Sequence, residues 1–235
     1  MSVNRDVTVL QEARISFCGS AALLLDAEGP LALATQERIW RLSDKARQWD
    51  GVVDTQPGMN SLLVVADSKT ADLEALAARL RETWPTVPSG RIAGRLIEVG
   101  VVYGGEGGQD LPEVAAFLKS TPAEIARLHA TPEYTIFAPG TSPGFGYLFG
   151  MDPRLFTPRR QVPVMRALGG GVSIAGVQSN LGKPYVEGSA KAVPTGWYMI
   201  GRAPDVPSPF DLDKSPPNLV SLGDRICFRV DRVEA

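Results

Sequence analysis

The sequence contains very little cysteine and histidine. Among 235 residues there are two cysteines, Cys18 and Cys227, and a single histidine, His129. Neither cysteine belongs to a C-x-x-C pair, which excludes a redox motif of that type. No second histidine or cysteine stands at ligand spacing from His129, so we expect no metal site. The cysteines lie near opposite ends of the chain. A disulfide between them is one possibility, but two buried thiols in a reducing compartment are favoured.

Long hydrophobic runs and an excess of one charge are also absent. The longest apolar run is AALLL at 21–25, which is far too short to cross a bilayer. The N-terminus is polar and lacks the apolar stretch of a signal peptide. The formal net charge is −2, and lysines and arginines are scattered without interleaved aromatics. We therefore expect a cytoplasmic protein with neither a membrane nor a nucleic acid as partner.

What is present is the composition of a globular protein, with 44% hydrophobic and 21% charged residues. The first 90 residues follow the order strand, strand, helix, strand, strand, helix. An apolar stripe from Thr35 to Trp49 indicates the first helix, and Thr70 and Pro85 are the expected start and stop of the second. This order predicts a small α+β sandwich in which two helices cover one face of a sheet.

The stretch TVPSG at 86–90 indicates a boundary, so we predict domains at 1–90 and 91–235. In the second domain a strand candidate precedes two helices, each with a capping residue (Asp110, Thr121), an early proline and a glutamate three positions on. Beyond Thr131, glycines and prolines separate the short apolar runs YTIFA, GVSIAGV, GWYMIG and DRICFRV. The pattern predicts a closed or nearly closed β-barrel. The fold class is thus an α+β N-terminal domain followed by a mostly-β barrel domain.

Three glycine-rich stretches resemble catalytic or phosphate-binding motifs. GTSPG at 140–144 matches the G-x-S-x-G pattern of serine hydrolases. However, Ser142 is followed by Pro143, which has no N–H for an oxyanion hole, and His129 lies upstream of it. GVQSNLGKP has the wrong spacing for a phosphate loop, and GGEGG at 104–108 has no lysine. Ordinary turns are the favoured interpretation of all three.

The charged candidates each have two interpretations. His129 ends a predicted helix, where a partner of the helix dipole competes with a catalytic base. Four arginines lie in the glycine- and proline-rich region after it. They either form a bidentate site for a carboxylate or phosphate, or an exposed rim paired with Asp152 or Glu133. These arginines are Arg154, Arg159, Arg160 and Arg166.

Several ordered motifs lie between residues 101 and 230. They are YGGEGGQDLPEVA, PEYTIFAPGTSPGFGYLFGMDPRLFTPRR, GGGVSIAGVQS, PTGWYMIGRAP and FDLDKSPPNLVSLGDRICF. Together they resemble the KipI / allophanate hydrolase subunit 1 family, which includes the B subunit of bacterial 5-oxoprolinase. The segment at 179–193 departs from the family, whose segment is shorter there, and this leaves the substrate open.

The resemblance implies a cyclophilin-like barrel and a homologous second subunit, of the type of the 5-oxoprolinase C subunit or allophanate hydrolase subunit 2. The expected activity is ATP-dependent hydrolysis of a small cyclic amide, with ATP bound in the complex rather than by a recognisable motif of this chain. Two alternatives come from the same family. One is a carboxyltransferase subunit of a biotin-dependent urea or guanidine carboxylase, and the other is a KipI-like inhibitor of a histidine kinase.

The resemblance also implies site residues. Glycine and aromatic positions of the long motif would line the mouth of the barrel, and polar ones would contact an amide or a carboxylate. The expected catalytic residues are His129 and Arg159. The expected substrate-binding residues are Gly144, Phe145, Tyr147, Arg160 and Gln178. Donors of this kind would polarise an amide carbonyl towards attack.

Overall fold

The computed structural model describes residues 12–90, 94–140, 144, 146–166, 169–182, 192–206 and 208–234. The chain divides into two compact units, and the division falls between residues 93 and 94. Each unit contains its own cluster of buried hydrophobic residues.

The N-terminal unit contains one antiparallel sheet and two helices. Its strands are β1 (Arg14–Phe17), β2 (Ala22–Asp26), β3 (Val52–Pro57) and β4 (Ser61–Ala66), in the order β1-β2-β4-β3. Its helices are α1 (Leu33–Ala46) and α2 (Leu73–Thr83). Alternate residues of β2 and β4, such as Leu23 and Val64, are fully buried. They form one cluster with the apolar stripes of both helices, because period 2 in a strand and period 3.6 in a helix each produce one apolar face.

The start of α2 differs from the prediction. Its N-terminal cap is Asp72, whose carboxylate accepts a hydrogen bond of 3.0 Å from the backbone N–H of Ala75. Thr70 instead lies in the preceding turn, where its N–H donates to the carbonyl of Asp67. The prediction of Thr70 as the cap is therefore wrong. Pro85 does end the helix, within a short 3-10 turn at Trp84–Thr86.

The C-terminal unit is built around a closed seven-stranded barrel, which confirms the predicted barrel. The strand order is β10-β7-β6-β13-β5-β12-β9, and β5 and β13 run parallel. A separate two-stranded ribbon pairs β8 with β11. The elements are β5 (Leu96–Tyr103), α3 (Leu111–Phe117), α4 (Pro122–Ala130), β6 (Glu133–Pro139), β7 (Gly146–Phe149), β8 (Val164–Arg166), β9 (Gly171–Ala175), β10 (Gln178–Leu181), β11 (Val193–Thr195), β12 (Tyr198–Arg202) and β13 (Arg225–Val233).

The two predicted helix caps of this unit behave differently. The Thr121 hydroxyl accepts a hydrogen bond of 3.2 Å from the N–H of Glu124 at the start of α4, as predicted. Asp110 stands at the N-cap of α3, but its side chain makes no capping hydrogen bond. Its carboxylate is bound by side chains from elsewhere in the barrel unit, and this arrangement is part of the site described below.

Both cysteines are free thiols, in different units of the chain, which excludes the disulfide alternative for this structure. The expectation that both are buried is wrong for Cys18, which is exposed, whereas Cys227 is half-buried in β13. None of the helices that the structure describes combines the length and the apolar character needed to cross a membrane.

Candidate functional site

The GGEGG stretch forms a 3-10 turn at Gly105–Gly108, directly after β5. Its glycines allow close backbone packing. A Cβ on Gly108 would lie 2.5 Å from the carbonyl oxygen of Ile200, and one on Gly104 would collide with the carbonyl of Glu234. The space that a phosphate would need next to these glycines is therefore filled by the chain itself, and the interpretation as a turn is confirmed.

We expect Gly108→Ala to lower the free energy of unfolding by about 2 to 3 kcal/mol, because the added methyl group must push buried backbone apart. Urea unfolding measures the change. Gly176→Ala is the matched control, because no atom lies within 4 Å of the position that its new Cβ would take. Its only expected cost is the backbone strain at φ +58°, which is about 1 kcal/mol. Equal losses in the two variants would contradict the packing explanation.

His129 lies in the interior of the barrel, at the end of α4, and is 0% exposed. Its Nδ1 is 2.7 Å from the Tyr103 hydroxyl and its Nε2 is 2.7 Å from the Ser179 hydroxyl. Burial lowers the pKa of its imidazole to about 3. The ring is therefore neutral at pH 7, and the interaction of a charged imidazole with the helix dipole does not apply.

The assignment of His129 as a catalytic residue stays a prediction. Because its ring is enclosed by the aromatic side chains of Tyr134 and Phe228 as well as by its two hydroxyl partners, any effect on a ligand would pass through those neighbours. Neither Tyr103 nor Ser179 was singled out from the sequence, since a buried hydroxyl in a strand has no local signature.

One of the four arginines matches the rim interpretation, and two others are paired with a carboxylate that was not expected as their partner. Arg154 forms an ion pair with Asp152 at 2.7 Å, as expected for a rim. Arg160 and Arg166 instead converge on Asp110, at 2.9 and 2.6 Å. The other expected partner, Glu133, pairs with an arginine of β13 at 2.9 Å.

Asp110 is the centre of a buried network. Its side chain is 1% exposed, and besides the two arginines it accepts a hydrogen bond of 2.9 Å from the backbone N–H of Met199 in β12. Arg160 also pairs with Glu113 of α3 and stacks on the Tyr198 ring at 4.1 Å. Arg160, which was expected to bind substrate, thus already forms ion pairs with two carboxylates of the chain.

Arg159 has a different environment from its three neighbours. Its guanidinium lies over the ring of Trp197, with 5.2 Å between its central carbon and the ring centroid. The same indole stacks with Tyr147, at 6.4 Å between centroids and 21° between planes. No carboxylate among the residues that the structure describes forms an ion pair with Arg159. The structure therefore brings two of the predicted residues, Arg159 and Tyr147, together through Trp197.

The face of the barrel that carries this group follows from strand alternation. Leu148 and Ser179 are paired across β7 and β10 and both are buried in the barrel interior. Their sequence neighbours Tyr147 and Gln178 therefore face outward, on adjacent strands. Gln178 thus lies on the same outer face as Tyr147.

The remaining predicted residues belong to the loop before β7. Gly144 has φ +75°, and a Cβ there would collide with the carbonyl of Pro209, so only glycine fits. Phe145, and with it Thr141, Ser142 and Pro143 of the GTSPG motif, lies outside the described residues.

Comparison with known proteins places this fold in a family. The sequence profile described as "Carboxyltransferase domain, subdomain C and D" matches residues 13–220. The chain belongs to this carboxyltransferase-domain family. It is 36% identical over 220 residues to the B subunit of 5-oxoprolinase from Escherichia coli O157:H7, covering 93% of this chain and 96% of that protein. The corresponding protein of Haemophilus influenzae is 33% identical over 214 residues, with 91% and 96% covered.

Solved structures contain the same fold. The urea amidolyase of K. lactis superposes with a TM-score of 0.76, covering 98% of this chain and 15% of that chain. At 15% identity this similarity concerns the fold alone. The resemblance read from the motifs is confirmed by these findings. Two residues of the site, Asp110 and Trp197, lie inside the family motifs but were missed, because Asp110 was assigned to a helix cap and Trp197 to a strand.

Proposed function

We propose that this chain is a subunit of a 5-oxoprolinase-type enzyme, which hydrolyses a small cyclic amide and works with a homologous second subunit. The relatives named as the B subunit of 5-oxoprolinase support this, since they align over almost their whole length. We further propose a cytoplasmic location, in keeping with two free thiols, and a cyclophilin-like class for the barrel.

The observation that carries the proposal is Arg159 beside two aromatic rings. The other three arginines of the group are paired with carboxylates of the chain, whereas Arg159 is an exposed residue whose guanidinium lies over an indole. A planar fork of N–H donors next to an apolar surface suits a small molecule that has both a carboxylate and a planar ring. Arg159 would bind and orient the substrate, and the Gln178 amide on the same outer face would donate a hydrogen bond to the amide carbonyl.

The glycine-rich turn at Gly105–Gly108 does not support a phosphate site for ATP. The glycine-rich turn after β5 is filled by packing against β12 and the C-terminal strand, so it offers no cradle for phosphates. We therefore propose that ATP is held elsewhere in the assembled complex, and that this chain contributes substrate binding.

The test is to co-produce the chain with a homologous second subunit and the remaining 5-oxoprolinase subunits, and to measure ATP-dependent formation of glutamate from 5-oxoproline. We expect turnover that requires this chain. A stable complex without turnover would contradict the proposal. One alternative is a carboxyltransferase subunit, with which the family description is also compatible. Transfer from carboxybiotin to urea or guanidine by the complex would establish that alternative.

A further inference from the structure

We propose that Trp197, Arg159 and Tyr147 form a binding platform for a planar amide that carries a carboxylate, with the Trp197 ring as its floor. The inference rests on the proposed function and deepens it, because it names the atoms that recognise the substrate and adds a residue, Trp197, to the site. We call these three residues the Trp197 platform.

The geometry of the Trp197 platform combines an apolar surface with one cation. Trp197 and Tyr147 are half-buried and nearly parallel, at 21°. The Arg159 guanidinium lies 5.2 Å from the indole centroid, within the range of a cation–π interaction. A flat ligand placed on such aromatic side chains gains contact with the rings, and one edge of it reaches the guanidinium. Small-molecule sites have this composition: mostly apolar lining with few, well-placed polar groups.

The charge of the expected ligand follows from the neighbouring ion pairs. Arg154, Arg160 and Arg166 are each neutralised by a carboxylate of the chain. Among the described residues no such partner lies at Arg159. An exposed arginine needs no partner, because water solvates its charge. A ligand carboxylate can bind it with two parallel hydrogen bonds without displacing a carboxylate of the chain. The Trp197 platform therefore selects for an anion with a planar body rather than for a neutral amide.

The backbone that carries the Trp197 platform is held in place. The N–H of Arg160 donates to the carbonyl of Gly196 at 3.0 Å, which ties the segment of Arg159 to the residue before Trp197. Asp110 binds the Arg160 side chain and, at the same time, the N–H of Met199 two residues beyond Trp197. Both segments are thus fixed to the same buried carboxylate, so little conformational freedom is lost when a ligand binds.

The four tryptophans provide a direct measurement. Three of them, Trp40, Trp49 and Trp84, belong to the N-terminal unit, and Trp197 is the tryptophan of the barrel unit. The full chain is labelled with 5-fluorotryptophan, and the Trp197 resonance is identified as the one that disappears in Trp197→Phe. The probes are 5-oxo-L-proline, 2-pyrrolidinone, which lacks the carboxylate, and cyclopentanecarboxylate, which lacks the amide.

We expect 5-oxo-L-proline to shift the Trp197 resonance saturably and to leave the three others in place. Arg159→Gln is expected to weaken this binding about tenfold or more, since a charge-assisted hydrogen bond is lost. The two incomplete probes are expected to bind at least about tenfold more weakly than 5-oxo-L-proline. The matched control is Arg154→Gln, which removes a neighbouring arginine already paired with Asp152 and is expected to leave the titration unchanged.

The absence of a saturable shift at Trp197 would overturn the inference, as would equal binding by wild type and Arg159→Gln. The result is separable from the test of the proposed function, since it requires neither ATP nor a second subunit. If binding is saturable and depends on Arg159 but the assembled complex shows no turnover, the Trp197 platform is supported and the proposed function is contradicted. If the complex turns over equally well with wild type and with Arg159→Gln, and the Trp197 resonance does not shift, the proposed function is supported and the Trp197 platform is contradicted.

Discussion

Replacing Asp110 by alanine is expected to lower the free energy of unfolding by roughly 3 kcal/mol, because breaking a buried ion pair leaves its partners uncompensated. The Asp110 side chain is 1% exposed and interacts with Arg160, Arg166 and the N–H of Met199. The two arginine side chains are 14% and 23% exposed. Without the carboxylate, Arg166 loses its ion pair and the N–H of Met199 loses its acceptor, while Arg160 keeps only the exposed Glu113 as a partner. Urea unfolding followed by circular dichroism measures the loss.

Two further variants identify the cause. Glu113 also pairs with Arg160, but its side chain is 53% exposed, so Glu113→Ala is expected to cost under about 1 kcal/mol. Removing a cation together with the carboxylate, in Asp110→Ala/Arg166→Met, is expected to cost less than Asp110→Ala alone. A loss in Asp110→Ala no larger than in Glu113→Ala would show that the buried network is not what stabilises this part of the barrel.

Acidification is expected to destabilise the protein through His129. Burial lowers its pKa from 6.5 to about 3 in the folded state. The unfolded chain therefore binds a proton between those values while the folded chain does not. The contribution of His129 to stability is fully present above pH 6.5 and is lost as the pH falls towards 3. The expected loss is about 2 to 3 kcal/mol at pH 4.5 and about 4 kcal/mol near pH 3.

The measurement is the free energy of unfolding at pH 7 and at pH 4.5 for wild type and for His129→Gln. The variant has a lower stability at pH 7, but it is expected to show a smaller decrease between the two pH values, because the proton-binding group is gone. Tyr103 and Tyr134 stay neutral over this range, since burial raises the pKa of both. Identical pH dependence of wild type and variant would contradict the role assigned to His129.

The strands with a clear apolar pattern could be predicted from the sequence, and those without one could not. The runs YTIFA, GVSIAGV, GWYMIG and DRICFRV correspond to β6, β9, β12 and β13. By contrast, β8 and β11 contain three residues each, and β10 has the polar sequence QSNL. Such short segments become strands because a neighbouring strand pairs with them, and this pairing has no local signal.

The sequence by itself determined that the chain contains a barrel and that it belongs to this family, because apolar periodicity and ordered motifs are local properties. It also picked out Arg159 and Tyr147. Only the tertiary structure showed which three of the four arginines are paired with carboxylates of the chain. Asp110 is 50 and 56 residues away from the two arginines it neutralises, and Trp197 meets Arg159 and Tyr147 only when the barrel closes. Charge pairing and burial depend on distances in space, and these exist only once the strands have assembled.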